Sequence, residues 1–169
     1  MKREIYFAGG CFWGVEKFFA LINGVLETEV GYANGKTENP SYEEVRQGET
    51  GHAETVRVVY DGAVLPLDFL LEQFYSIIDP TSLNRQGEDL GTMYRTGIYY
   101  VNSEDKAVIE QSIVRLQAQI DAAVVVEVLP LSQFFTAETY HQSYLDKNPQ
   151  GYCHVPLAAF QRAKTARPS

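Results

Sequence analysis

In 169 residues the sequence holds only two cysteines, one tryptophan, two methionines and three histidines. Cys11 and Cys153, near opposite ends of the chain, are too few to staple a disulfide mini-fold, and in a reducing compartment such a pair is reactive, buried or metal-bound. His52, His141 and His154 join them in no CxxC or HExxH spacing, so zinc is a minor alternative and no metal site is expected. Basic residues are also scarce, 14 against 22 acidic, for a net charge of −8. That balance disfavours partners recognised through phosphate, both nucleic acid and anionic membrane. Long apolar runs are missing too: Met1-Lys2-Arg3-Glu4 leads only into Ile5 to Ala8, too short for a leader or a membrane span, and a cytoplasmic chain is expected. What is present, 45% hydrophobic and 21% charged residues, fits a folded globular chain rather than a disordered one. One domain over 1–157 is expected, followed by a mobile tail over 158–169 that carries Arg162, Lys164 and Arg167 among small residues.

Apolar spacing gives the elements. Residues 4–8 read as a strand stopping at Gly9-Gly10; Trp13, Lys17, Phe18, Leu21 and Ile22 then recur at helical spacing, so Cys11 opens a helix. Residues 25–32 are strand-like, and Ser41-Tyr42-Glu43-Glu44 has capping-box form. Over 54–60 the alternation puts Glu54, Val56, Val58 and Tyr60 on one strand face. A helix beginning at Pro66 ends at Asp79-Pro80, before a polar, aperiodic stretch to Arg95 of the length that is usually functional or mobile. A strand over 96–101, a helix from Ser103 to about Ile120, a strand over 124–129 and a last helix over about 137–147 complete the order. The first six elements run in the split βαβ order, so the expected fold is α+β, a two-layer sandwich with a ferredoxin-like (βαββαβ) core.

Cys11 stands where a helix begins, and free N–H groups at such a position favour a thiolate. A buried small hydrophobe is the alternative there, weakened by Gly9, Gly10 and Gly14, which permit close approach. Phe12 and Trp13 either join the core or wall an apolar niche beside the sulfur. Cys153 lies in a Pro- and Gly-containing segment, as a resolving thiol requires, or is incidental. Glu54, on an apolar face, is a candidate proton donor if desolvation keeps it neutral, and a strand-end ion pair otherwise. Tyr42 and Tyr94 could hydrogen-bond a substrate oxygen, whereas His141 reads as a satisfied core histidine on a helix face with Ala137, Tyr144 and Leu145.

Taken together, Gly10-Cys11-Phe12-Trp13-Gly14, the run from Asn39 to Val45, Gly51-His52-Ala53-Glu54, the run from Asp79 to Gly87 with Asp89, Gly91 and Tyr94-Arg95, Tyr140-His141-Gln142 and Gly151-Tyr152-Cys153 resemble the peptide methionine sulfoxide reductase A family. The resemblance implies that Cys11 is the nucleophile, Phe12 and Trp13 the methyl pocket, Glu54 the acid, Tyr42 and Tyr94 the oxygen-binding hydroxyls and Cys153 the resolving thiol, with Asp89 and His141 helping to bind substrate. It implies reduction of the S epimer of methionine sulfoxide, free or in proteins, through a Cys11 sulfenic acid and a Cys11–Cys153 disulfide. Thioredoxin would be the reductant, with no metal or organic cofactor, and the chain is expected to act as a monomer. Two departures stand out: Met93, where many members carry glutamine, and the lack of a third cysteine after Cys153, which leaves the Cys11–Cys153 disulfide itself to meet the reductant. Rival readings are a Cys–His hydrolase using His52 or His141, and a non-catalytic module that binds methionine-rich segments.

Overall fold

The computed structural model describes residues 1–168. It is a mixed α+β fold with eight strands and six α-helices among these residues: β1 (Lys2–Gly9), α1 (Phe12–Ala20), β2 (Val25–Ala33), α2 (Tyr42–Arg46), β3 (Ala53–Asp61), α3 (Leu67–Tyr75), β4 (Arg85–Gln86), β5 (Asp89–Leu90), β6 (Thr96–Tyr100), α4 (Ser103–Ala118), β7 (Glu127–Pro130), β8 (Phe134–Thr136), α5 (Tyr144–Lys147) and α6 (Leu157–Thr165). Six strands form one mixed sheet in the order β7-β6-β1-β3-β2-β8, and β4 with β5 makes a separate ribbon. Neighbours within β6-β1-β3-β2 are antiparallel; only the edge pair β6–β7, joined through α4, is parallel.

Alternation decides what each sheet face buries. Ile5 and Phe7 of β1, Val30 and Tyr32 of β2, and Val56, Val58 and Tyr60 of β3 meet Phe18 and Phe19 of α1, Leu70, Leu71 and Phe74 of α3, and Ile109 of α4 in the main core. Phe7 lies stacked between Phe19 and Phe74, with ring centroids 4.7 and 4.6 Å away. The opposite face carries Tyr6, Ala8, Ala33, Ala53 and Tyr99, covered by Leu131 and Phe134.

Two expectations are corrected here. The last helix over about 137–147 is broken into a 3-10 turn, Thr139–His141, and the short α5, because Ser143 between them adopts a left-handed conformation (φ 53°). The segment before it pairs with β2 as β8. The tail expected to be mobile from 158 instead forms α6, whose Ala159, Phe160 and Ala163 are buried in the main core; Ser169 lies outside the described residues. The long stretch after α3 is held from inside by buried Gln86, which accepts from the Asp79 N–H at 2.9 Å and donates to the Asp79 carbonyl at 2.8 Å. Met93 packs in the main core, with Tyr94 beside it.

Candidate active site

Gly10, with φ +85°, turns the chain from β1 into α1, a conformation open to glycine, and a side chain there would meet Gln86 at 2.6 Å. Cys11 is the N-cap of α1, as its place after a strand and a glycine pair predicts. Its sulfur, however, is nearly covered, with 7% of the residue exposed. Burial is the main force pushing the thiol well above its usual pKa, reinforced by the Glu54 carboxylate; the Trp13 N–H acts the other way. The expectation of a resting thiolate therefore fails: desolvation outweighs the partial charge of a nine-residue helix.

Glu54 sits on the helix-facing side of β3 and is 2% exposed. Its Oε1 accepts the Phe12 N–H at 3.0 Å, which ties the carboxyl to the residue after Cys11. Burial raises its pKa from 4.5 to about 8, the Phe12 bond opposes the rise and Asp89 adds to it. At neutral pH the carboxyl is thus a neutral acid, not half of a strand-end ion pair. Tyr42 opens α2 and Tyr94 closes the turn after β5; burial raises both phenols, and the Glu54 charge comes next for each. Cys11 also bears on Tyr42, and Asp89 on Cys11, Glu54 and Tyr94, so these five groups share one electrostatic neighbourhood.

The aromatic side of the site is built around His141. Trp13 Nε1 donates to His141 Nδ1 at 3.0 Å, which fixes the tautomer with the proton on Nε2. Burial lowers the imidazole pKa and keeps it neutral. The rings of Phe12, Trp13, Tyr42 and Tyr140 surround it at centroid distances of 5.1, 5.8, 4.9 and 4.1 Å. His141 is buried as expected, but it is not satisfied: Nε2 has no partner among the described residues. Tyr144 stacks on Trp13 at 3.7 Å, with the planes 9° apart, and sequence reasoning had used it only as core. Its spacing of three from His141 was the available signal.

Cys153 is half-buried and unbonded to Cys11. A Cβ built on Gly14 would lie 2.7 Å from its sulfur, so the second thiol rests against the bare backbone of α1 three residues after Cys11, and it bears on the Cys11 thiol. Tyr152, the residue before it, donates to Asp89 Oδ2 at 3.1 Å, which sequence reasoning missed. His52 is absorbed elsewhere: Nδ1 accepts from the Gly35 N–H at 3.1 Å and Nε2 meets the Thr37 carbonyl at 2.7 Å. Among the described residues no imidazole is hydrogen-bonded to Cys11, so the hydrolase reading finds no base. None of them form a group of three or more His, Cys, Asp or Glu able to hold a metal ion, and no helix is long and apolar enough to cross a membrane.

A thiol at a helix start, a buried neutral acid, two phenols in the same electrostatic neighbourhood, an aromatic cluster and a second thiol against the same helix are the groups that thiol-dependent redox chemistry uses, here on a mixed α+β frame. The family model of peptide methionine sulfoxide reductase matches residues 3–168. "Peptide methionine sulfoxide reductase MsrA" of Lachnoclostridium phytofermentans is 55% identical over 166 residues, covering 98% of this chain and all of that one. The crystal structure of Mxr1 from Saccharomyces cerevisiae in reduced form superposes with a TM-score of 0.87 at 37% identity, covering 92% of each chain. A further structure, of Mxr1 in complex with Trx2, has a TM-score of 0.61 at 23% identity over 85% of this chain and 84% of that one, and speaks for the fold alone. The chain belongs to the peptide methionine sulfoxide reductase family.

Proposed function

We propose that the chain reduces the S epimer of methionine sulfoxide, free or in oxidised proteins, to methionine. The observation that carries this reading is the neutral Glu54 carboxyl bonded to the Phe12 N–H beside the Cys11 thiol. A sulfoxide sulfur accepts a thiol nucleophile only if its oxygen is protonated as the S–O bond breaks. Glu54 supplies that proton and its carboxylate takes the thiol proton and passes it on, so a bond forms between the Cys11 sulfur and the sulfoxide sulfur as the oxygen leaves as water; that water then attacks the Cys11 sulfur and gives a proton back to Glu54, and the S–S bond breaks to release methionine and leave Cys11 as a sulfenic acid. Tyr42 and Tyr94 stabilise charge on the oxygen, and Phe12 and Trp13 receive the methyl group. Asp89 and His141 assist in holding the substrate, His141 through its free Nε2–H.

Cys153 then attacks the sulfenic acid; a Cys11–Cys153 bond forms and water leaves. A thioredoxin-type dithiol reduces this disulfide and becomes a disulfide itself. Mxr1, which in its reduced form is 37% identical to this chain, is also found in complex with Trx2, and that supports this choice of reductant. Both electrons come from thiols, so the cycle needs no metal or organic cofactor. The strand order β6-β1-β3-β2 supports reading the core as a ferredoxin-like two-layer sandwich, and the acidic, cysteine-poor composition supports a cytoplasmic monomer without nucleic-acid or membrane partners.

The direct test is reduction of racemic methionine sulfoxide with chiral analysis. Consumption should stop at half the material with the R epimer left; loss of both epimers, or of neither, overturns the reading.

A further inference from the structure

We propose that Glu16 is a positioning residue for the methyl pocket, holding the left-handed turn at Ser143 and, through it, the Tyr144 ring that backs Trp13. This rests on the function proposed above.

Glu16 follows Trp13 by three positions in α1, so the two side chains share a helix face. The glutamate is 3% exposed and, among the described residues, forms no ion pair. A lone buried carboxylate is costly unless its oxygens are engaged, and both are: Oε1 accepts the Ser143 N–H at 2.7 Å and Oε2 accepts the Thr28 hydroxyl at 3.1 Å. Ser143 needs that support, because φ 53° and ψ 37° are disfavoured for a side-chain-bearing residue. On either side of it the chain grips the indole: His141 accepts from its edge at 3.0 Å and Tyr144 covers its face at 3.7 Å. Gln142 fastens the same turn to β2, its Oε1 accepting the Val30 N–H at 2.9 Å. Without the Glu16 bond, Ser143 can relax to a right-handed conformation, and Tyr144 then leaves Trp13.

Trp13 is the only tryptophan, so its fluorescence reports this geometry alone. Glu16→Leu should red-shift the emission, increase acrylamide quenching and raise KM for methionine sulfoxide by about tenfold, with the single-turnover rate at saturation falling less than about threefold. Glu16→Gln should restore emission and KM together, since its carbonyl accepts from Ser143 and its amide donates to Thr28. Glu16→Asp keeps the charge but cannot span both donors, and serves if the leucine variant fails to fold; it should move both readouts in the leucine direction. Wild-type emission and KM in the leucine or aspartate variant, or a glutamine variant as impaired as the leucine one, overturns the proposal. If the wild-type chain does not reduce methionine sulfoxide, the proposed function falls, and the emission comparison judges Glu16 by itself.

Discussion

Replacing Glu54 by glutamine should make the protein more stable and a worse enzyme, by amounts that depend on pH. The folded carboxyl titrates at about 8 against 4.5 for a free glutamate, so the folded state binds this proton more tightly than the unfolded state does. The sign follows from linkage: the stability tied to this proton is whole below pH 4.5 and is lost as pH rises through 8. At about 1.36 kcal/mol per pH unit, the loss reaches about 3 kcal/mol at pH 7 and about 5 kcal/mol above pH 8.5. Glutamine keeps the acceptor for the Phe12 N–H, is neutral at every pH and avoids this loss. Denaturant unfolding of the two proteins should diverge from within about 1 kcal/mol at pH 5 to about 3 kcal/mol at pH 7. The single-turnover rate of the variant should fall by about a hundredfold or more, the scale of a general acid. A stability difference flat from pH 5 to 8.5 would show that the carboxyl is not held neutral by burial, and a near wild-type single-turnover rate would remove it from the chemistry.

Three further outcomes are expected. Cys11→Ser should yield no methionine, whereas Cys153→Ser should yield one methionine per chain by rapid quench and no thioredoxin-driven cycling; sustained cycling by Cys153→Ser would refute its role as resolving thiol. Gly14→Ala brings a methyl group to 2.7 Å from the Cys153 sulfur and 3.0 Å from Val155 Cγ2. It should cost about 1–3 kcal/mol and slow disulfide formation, seen as delayed loss of two hydrogens in the mass spectrum, more than it slows the first turnover. Phe160→Ala should cost about 3–5 kcal/mol in denaturant unfolding, where a truly mobile tail would give no change.

Local pattern carried much of the site. Alternation over 54–60 was enough to set Glu54 on an apolar face, and the strand, glycine pair and helical spacing were enough to put Cys11 at a helix start. The protonation state of Cys11 was not legible, because it depends on burial and on Glu54, which come from distant parts of the chain. The break at Ser143 was hidden for the same reason: its N–H is held by Glu16, far earlier in sequence, while 137–147 alone reads as helix. Helix α6 was a different failure. Pro156 followed by Ala159, Phe160 and Ala163 at helical spacing was available, and the basic residues around them drew the reading toward a solvated tail.

The covered sulfur at position 11 also governs what the enzyme ignores. A thiol that keeps its hydrogen and shows little surface is a slow target for hydrogen peroxide and for alkylating agents, both of which need an ionised, accessible sulfur. In the proposed cycle Cys11 is oxidised only with a docked sulfoxide and the acid beside it, so a chain incubated with hydrogen peroxide before assay should keep most of its activity, the catalyst outlasting the diffusible oxidants that create its own substrate.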